Sequence, residues 1–567
     1  MSTGTARKHV GKACERCRQQ KIKCNGESPC SRCVRLSAPC VIRKVARQRQ
    51  KSPKTSADDR AAISVALDPV RVKNELGRIA VYGPTSTLAL LRAIMASRTG
   101  NYAQITTGDS SNADDVLDLG SMSMDALRFN LLSLQNYSPS PAQGLSLTPP
   151  LSLVTIPNGV LQSFLHRYVD TAWVLIPMQS PDQLGALFSS SYTALSQNTP
   201  PPALYPVLLY QLALGSVSTE QAELAEMLAG EGELFSSDAG FLPEEFELQL
   251  SVLMVEYYSD IGSFDKAYSL LGRVMSRVYT AGFHLEPQSL AVKKLLSELI
   301  ARERFICIAL GRPPIVGANI QVCDDDASPQ IKFFSDLFSI ISPGLCARQA
   351  PSETFDQLWN NVWATHTRLQ HFWAKTEPLL RLEYPDSGGA NEKMELSIGL
   401  YGYAVLMNLR PLLLYLGYQT TPHENSKPGR TGDQLHDSNP QVMTAIEHIL
   451  SSAQSIISIV CGVCERGSAV KALPTHSFFL ETACLTLISY GLWRGDLAAV
   501  WDSLTRGIQC LESLQYQRVA AMRLASVRAA LEQSGLGVFG AEPLIREAQS
   551  SVQGQDITAS GLQLPFL

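Results

Sequence analysis

The sequence predicts a mainly α-helical protein in which a small metal-held module precedes a large helical domain. Three observations predict this organisation: six cysteines lie within residues 14–40, positive charge is concentrated at the same end, and helical periodicity dominates residues 158–535. The chain has 567 residues, enough for several folded units. Because 45% of the residues are hydrophobic, most of the chain can bury a core.

Charge is divided unevenly along the chain. The whole chain has a formal net charge of −4, but residues 1–54 contain 15 Lys and Arg against two Asp and Glu, a net of +13. The remaining residues contain 33 basic and 50 acidic side chains, a net of −17. A basic head on an acidic body indicates a polyanionic partner that binds at one end.

The N-terminal residues 1–14 lack the apolar stretch of a signal peptide, so we expect an intracellular protein whose cysteines are thiols or metal ligands. The longest apolar stretch, residues 398–417, is interrupted by Asn408, Arg410 and Pro411. Charged and helix-breaking residues disfavour a membrane span. We therefore expect a soluble protein that does not bind a membrane.

The cysteines near the N-terminus form two halves with identical spacing, C-x2-C-x6-C. They are Cys14, Cys17, Cys24, Cys30, Cys33 and Cys40. Structural zinc takes four ligands, so two ions need eight ligand places, and two of the six cysteines must serve both ions. The repeat favours the first cysteine of each half, Cys14 and Cys30, as the bridges. Three disulfides or a metal-storage segment fit an intracellular chain with a large folded body less well.

Residues 14–40, preceded by Ala13, resemble the fungal-type binuclear zinc cluster DNA-binding domain. The resemblance implies two short helices packed around two zinc ions, with Pro29 in the loop between the halves. It also implies that the first helix enters the major groove and reads a CGG triplet.

The same resemblance assigns roles to four residues of the first half. It implies that Gln20 and Lys21 face the bases, and an ammonium at Lys21 suits guanine O6 and N7. It implies that Arg18 and Lys23 contact phosphates. The two halves also differ in composition: RQQKIK follows Cys17, whereas VRLSAP follows Cys33. We therefore predict that the first half reads DNA; the alternative is that RQQKIK is only a solvated charged surface.

Residues 41–56 form a basic segment with few side chains that can pack. We predict a flexible arm that tracks phosphates through Arg43, Lys44, Arg47 and Arg49, and that serves as a nuclear import signal. We therefore expect the protein in the nucleus with double-stranded DNA.

The resemblance implies a homodimer or heterodimer on DNA, because relatives often dimerise through a coiled coil after the cluster. Here Ile63, Leu67 and Val70 suit such a seam, but Pro69 interrupts it. The pattern is shorter than the three or four heptads that a coiled coil needs. We therefore predict that any dimer forms without a long coiled coil.

The sequence pattern from residue 79 onward predicts folded structure. The run YGPTS at residues 82–86 resembles a motif that opens the regulatory region of fungal zinc-cluster factors, and a helix is predicted through Leu88, Leu91 and Ile94. The acidic amphipathic stretch 114–134 is either an activation segment or a docked helix, and its helical spacing favours docking. Residues 138–152 are the clearest linker.

Residues 158–535 predict about a dozen helices packed on one another. Apolar stripes or buried runs occur at Leu161, Phe164, Leu165, Tyr168 and Val169, at Leu248, Leu250, Val252, Leu253, Val255 and Tyr257, and at Ala267, Leu270, Leu271, Val274 and Val278. Segments 266–287 and 302–322 resemble the central homology region of fungal zinc-cluster transcription factors, with helices predicted to end at Gly282 and Gly311. This resemblance implies a regulatory domain that senses a small metabolite or contacts co-regulators.

Nothing in the sequence nominates a catalytic centre. A G-x-G-x-x-G pattern at Gly535, Gly537 and Gly540 follows a predicted helix instead of a strand, so it is not a nucleotide-binding fingerprint. Cys461 and Cys464, and likewise His284 and His476, are best explained as packing or capping residues. We predict that the protein is not an enzyme.

These observations divide the chain into a zinc-cluster domain at residues 10–45, a basic arm and linker at 46–78, a partly ordered linker region at 79–157, an all-helical regulatory domain at 158–535 and a tail at 536–567. We predict a DNA-binding regulator of transcription by RNA polymerase II, a pathway-specific activator of a metabolic gene set. Two alternatives stay open. The zinc module binds a protein or RNA, or the chain is a repressor whose helical body senses a metabolite.

Overall fold

The structure is a computed structural model of the full chain. It describes residues 13–36, 38–41, 57–73, 79–99, 117–118, 152–172, 179–237, 244–283, 289–316, 329–347, 354–383, 392–420, 440–466, 473–494 and 498–534. The chain separates into two compact units, Met1–Ala57 and Asp58–Leu567.

The first unit contains two helices of one turn or so, α1 (Glu15–Gln19) and α2 (Ser31–Arg35). Helices of five residues are not stable alone in water, so they need an external anchor. The anchor is sulfur: the buried cluster of this unit consists of cysteines, with Ile22 packed against them.

The second unit is a largely helical body that begins with a small sheet. Its early elements are α3 (Ala57–Ala66, which starts at the boundary), β1 (Val70–Lys73), β2 (Ile79–Tyr82), α4 (Thr87–Thr99), β3 (Leu117–Asp118) and α5 (Ser152–Thr155). The next helices are α6 (Asn158–Asp170), α7 (Pro181–Ser196), α8 (Tyr205–Val217), α9 (Ala222–Ser237), α10 (Glu244–Asp260), α11 (Phe264–Ala281) and α12 (Leu290–Leu310). The last are α13 (Pro329–Ala347), α14 (Phe355–Glu383), α15 (Glu392–Thr420), α16 (Pro440–Glu465), α17 (Pro474–Arg494), α18 (Ala498–Ser513) and α19 (Arg518–Gln533).

The predicted mainly helical class is confirmed, and the body has one continuous apolar core. The stripes predicted from sequence lie on α6, α10 and α11 and pack into this core. The predicted ends of two helices are also correct: Gly282 caps α11 and Gly311 caps α12, both in the left-handed region at φ 76° and 64°. Glycine adopts that conformation without a Cβ clash.

The segment predicted as a linker at 46–78 contributes folded elements to the body. Strand β1 pairs antiparallel with β2 and parallel with β3. Ile63 and Val70, two positions whose spacing would suit a coiled coil, are 3% and 2% exposed in the core of the body, and Leu67 packs against that core. These side chains are therefore occupied within the chain and are not available for a coiled-coil seam.

Two motifs far apart in sequence meet at the end of α12. The Gly83 N–H donates to the carbonyl of Leu310 at 2.9 Å, and the Thr85 hydroxyl donates to the carbonyl of Ile308 at 2.7 Å. A Cβ placed on Gly83 would lie 2.1 Å from the Gly311 carbonyl oxygen. The two glycines therefore permit a backbone-to-backbone approach that no larger residue fits.

Arg312 completes this junction. Its Nε donates to the carbonyl of Val81 at 2.9 Å, and its guanidinium pairs with Asp265 at the start of α11. The same guanidinium lies over the rings of Tyr82 and Tyr268, with its Cζ 5.1 and 5.2 Å from the ring centroids. The YGPTS run at residues 82–86 and the turn Gly-Arg-Pro-Pro at residues 311–314 thus form one structural unit. This unit connects β2 to the helical body.

One helix among the described residues, Val442–Glu465 within α16, has the length and apolar composition of a membrane span. It packs against α15, α17 and α18, and Ile449 and Ile456 lie in the core of the body. In the structure it is therefore a core helix.

Several sequence predictions fall outside the described residues: the linker at 138–152 apart from its last residue, His284, and the glycines at 535, 537 and 540. In the amphipathic stretch 114–134, only Leu117–Asp118 is described. These two residues form β3, so at this point the predicted docked helix is replaced by a strand.

Candidate metal centre and nucleic-acid interface

The six cysteines of the first unit fall into two groups of four. One group is Cys14, Cys17, Cys24 and Cys30; the other is Cys14, Cys30, Cys33 and Cys40. Within each group all four sulfurs lie within 4.8 Å of one another. The groups share Cys14 and Cys30, the two residues that the repeat predicts to be bridges.

The sulfur separations fit tetrahedral zinc. Four sulfurs at about 2.3 Å from a central ion are separated from one another by about 3.8 Å. The Sγ atom of Cys14 lies 3.8 Å from that of Cys30 and 3.7 Å from that of Cys33, and the Sγ atoms of Cys17 and Cys30 are 3.8 Å apart. A disulfide requires about 2.05 Å, and all six cysteines are free thiols in the structure.

Each half of the repeat builds the same local structure. The Cys17 N–H donates to the Cys14 sulfur at 3.5 Å, and the Cys33 N–H donates to the Cys30 sulfur at 3.4 Å. The latter bond lowers the pKa of the Cys30 thiol to about 6. An N–H donor favours the thiolate, which is the form that binds a metal.

Lys21, a residue predicted to read DNA, follows the end of the first helix. Lys21 adopts a left-handed conformation, φ 51°, and the Ile22 N–H donates to the carbonyl of Cys17 at 2.9 Å. This six-to-one bond is that of a Schellman ending, in which the left-handed position usually holds glycine. Lys21 therefore lies just beyond α1 and not within it, which corrects the expectation that the helix itself carries it.

The exposed surface of the first half is polar and cationic. Gln20, Lys21 and Lys23 are exposed at the carboxyl end of α1, where free carbonyls favour cations. Arg18 lies in α1, and its side chain is outside the described residues. The second half exposes the apolar side chains of Val34 (59%) and Leu36 (51%) beside Arg32 and Arg35. The two halves share a scaffold but present different chemistry.

The basic arm carries the other predicted DNA contacts. Arg43, Lys44, Arg47 and Arg49 all lie outside the described residues.

The cysteine module matches a known family. Residues 12–50 match the model of the Fungal Zn(2)-Cys(6) binuclear cluster domain. That domain binds two zinc ions through six cysteines, and the structure brings six cysteines together in the same range. The match covers the module and leaves the helical body without a family assignment.

Curated relatives match the same end of the chain. The Xylanolytic transcriptional activator xlnR of Aspergillus flavus is 35% identical over 66 residues, which is 12% of this chain and 6% of the relative. The proteins of the same name from Emericella nidulans and Aspergillus niger are each 35% identical, over 65 and 60 residues. The chain thus spans only about 6 or 7% of the length of these relatives.

Outside the module, the cysteine pair predicted to be packing residues lies beside a third cysteine from another helix. The Cys510 sulfur of α18 lies 3.5 Å from that of Cys464, and Cys461 donates to the carbonyl of Arg506 at 3.7 Å. His476 caps α17: its Nδ1 accepts the N–H of Leu473 at 3.0 Å. The C-x2-C spacing alone could not predict Cys510, because it lies 46 residues beyond Cys464 along the chain.

Proposed function

We propose that this protein is a sequence-specific DNA-binding regulator of transcription by RNA polymerase II, and a pathway-specific activator of a metabolic gene set. The observation that carries the proposal is the pair of four-sulfur groups sharing Cys14 and Cys30. The match of residues 12–50 to the zinc-cluster domain and the similarity to proteins named transcriptional activators support it.

The zinc ions hold the module in a shape that can enter a groove. Cys17 and Cys24 complete one tetrahedron with the shared sulfurs, and Cys33 and Cys40 complete the other. Six thiolates and two divalent ions leave a net charge of about −2, which nearby basic side chains offset. Because the cysteine cluster is the buried core of this unit, metal binding and folding are one process.

DNA recognition then divides between two kinds of contact. Lys21, aided by Gln20, contacts guanine edges of a CGG triplet, and each well-made base contact contributes about 1–3 kcal/mol of discrimination. Arg18 and Lys23, with the arm residues Arg43, Lys44, Arg47 and Arg49, contact phosphates and supply salt-dependent affinity.

One triplet specifies too little sequence for a genome, so the proposal requires a second half-site. That site is contacted by a partner chain in a homodimer or heterodimer, or the arm extends the first contact. Since Ile63 and Val70 are buried in the body, such a dimer uses a surface that does not include these side chains. The protein acts in the nucleus, and the helical body is a regulatory domain that contacts co-regulators.

Selection of binding sites from random duplex DNA by the zinc-loaded full chain tests the proposal. We expect enrichment of CGG triplets at a fixed spacing, together with two zinc atoms per chain by elemental analysis. One zinc atom per chain, or selection without a shared triplet, would overturn it. Competition with matched single-stranded RNA distinguishes DNA reading from an RNA-binding module, because duplex DNA should compete far better.

A further inference from the structure

The helical body contains a partly open cavity of about 70 Å³ where α10, α12, α17 and α19 approach one another. Its apolar walls include Phe264, Phe305, Phe334 and Phe478. The ring centroid of Phe305 lies 6.2 Å from that of Phe264 and 5.8 Å from that of Phe478, so these rings form one aromatic wall.

A second cavity of about 70 Å³ lies next to the first, because Phe264, Phe478 and Arg523 line both. Each cavity has about half the volume of about 150 Å³ that holds one benzene molecule in a protein core. Because the first cavity is partly open, a small ligand can fill its interior and extend beyond it.

Five charged side chains line the first cavity: Glu256, Asp260, Glu298, Arg302 and Arg523. Both arginines are already paired. Arg302 contacts Glu256 at 2.7 Å and also Glu298, and Arg523 contacts Glu481 at 2.9 Å.

Asp260 differs from the other charged groups of the wall. It is 7% exposed, and among the described residues no ion pair within 4.0 Å or side-chain hydrogen bond reaches its carboxylate. Burial, and secondarily the nearby Glu256, raise the pKa of Asp260, and the charges of Arg302 and Arg523 oppose this rise without cancelling it. Because the two arginines are paired with other carboxylates and do not offset the burial of Asp260, a further cation beside this carboxylate reduces the cost of keeping it ionised.

We propose that this cavity binds a small organic ammonium ion whose nitrogen contacts Asp260 and whose apolar part lies between Phe264, Phe305 and Phe478. Aromatic faces carry partial negative charge and attract a cation. An anionic ligand fits poorly, because acidic groups outnumber basic ones on the wall and both arginines are engaged. The inference goes beyond DNA reading and concerns the helical body alone.

Calorimetric titration of the full chain with three probes of one shape tests this proposal: benzylamine, benzyl alcohol and benzoate. We expect benzylamine to bind roughly tenfold or more tightly than benzyl alcohol, because the alcohol has no charge to pair with Asp260 or to attract the rings. Benzoate should bind least, because its carboxylate is repelled by the acidic wall. Absence of benzylamine binding at millimolar concentration would overturn the proposal, as would benzoate binding as tightly as benzylamine.

Two variants locate the site. Asp260→Asn keeps the shape and removes the charge, so it should abolish the preference for benzylamine over benzyl alcohol. Asp502→Asn changes an aspartate of α18 that does not line the cavity, and it should leave that preference intact. Equal benzylamine affinity in Asp260→Asn and the unaltered chain would contradict the assignment. The three-probe comparison needs no variant, so it decides the question even if Asp260→Asn does not fold.

Discussion

The zinc module and the helical body reach a buried core by different means. In the module the buried side chains are Cys14, Cys17, Cys24, Cys30 and Cys33, around which two five-residue helices are arranged. In the body the core is a continuous set of Leu, Ile, Val, Phe and Tyr side chains contributed by long helices. The module's stability is therefore a metal-binding free energy, whereas the body's stability is an apolar-burial free energy.

Removal of zinc should have the largest effect, and it should unfold the zinc module while leaving the helical body folded. Structural zinc contributes on the order of 10 kcal/mol to the folding of small modules. A chelator added to the full chain should abolish specific DNA binding but leave the far-ultraviolet helical signal almost unchanged, because α1 and α2 each contain only five residues. A large decrease of helical signal with the metal would mean that the body also depends on zinc.

Substitution of single cysteines should distinguish a bridging zinc ligand from one that binds a single ion. Cys14→Ser removes a sulfur from both ion sites, whereas Cys40→Ser removes one from a single site. We expect Cys14→Ser to lose both zinc ions and Cys40→Ser to retain about one, as measured by elemental analysis. The same zinc content in both variants would contradict the bridging role of Cys14.

Acid should destabilise the body through His476. Burial lowers the pKa of His476 to about 4, whereas an unfolded histidine has a pKa near 6.5. Between pH 6.5 and pH 4, His476 is therefore protonated in the unfolded state but stays neutral in the folded state. The free energy of unfolding falls by up to about 3 kcal/mol as the pH approaches 4.

The variant His476→Gln keeps an acceptor for the Leu473 N–H and removes the titration. We expect the free energy of unfolding of this variant to fall less between pH 7 and pH 4 than that of the unaltered chain. His366, whose pKa is also lowered to about 4, is present in both chains and cancels in the difference. Parallel pH profiles would remove His476 as a source of acid sensitivity.

Substitutions at Lys21 should reduce DNA recognition by the first half of the module without removing a zinc ligand. Lys21→Ala removes the ammonium and keeps a Cβ in a left-handed position, whereas Lys21→Gly removes the ammonium and relieves the backbone. Both should reduce the preference for CGG over mismatched triplets by about 1–3 kcal/mol in a quantitative binding assay. Arg35→Ala, in the second half, should leave the preference unaltered; equal reductions would show that the halves do not differ in reading.

The arm should have the smallest effect per residue and the least sequence dependence. Replacing Arg43, Lys44, Arg47 and Arg49 with Ala should weaken binding to all duplexes and lower the salt slope by about 0.9 for each phosphate that is no longer neutralised. Salt titrations with specific and scrambled duplexes measure this slope. A slope identical to that of the unaltered chain would show that the arm does not touch DNA.

Much of the architecture follows from local sequence patterns. The cysteine pattern predicts the shared pair because two zinc ions need eight ligand places from six sulfurs, and the repeat favours the first cysteine of each half as the bridge. The apolar stripes of α6 and α11 predict the faces that the body buries. Gly282 and Gly311 predict helix ends because they accept a left-handed backbone, φ 76° and 64°.

Other features depend on contacts between distant segments. Helices α18 and α19 are separated by a turn in which the Gln517 N–H donates to the carbonyl of Leu514 at 2.9 Å. No Gly or Pro marks this turn. Both side chains are buried, so packing against the body decides the break.

The sequence by itself determined the metal chemistry and the helical class, because ligand spacing and apolar periodicity act over a few residues. Tertiary structure alone decided that Gly83 meets Gly311, that Ile63 and Val70 belong to the core, and that Asp260 lines an aromatic cavity. Each of these outcomes joins segments widely separated along the chain. A local pattern states what a side chain can do, but the packing of distant helices decides which neighbours it has.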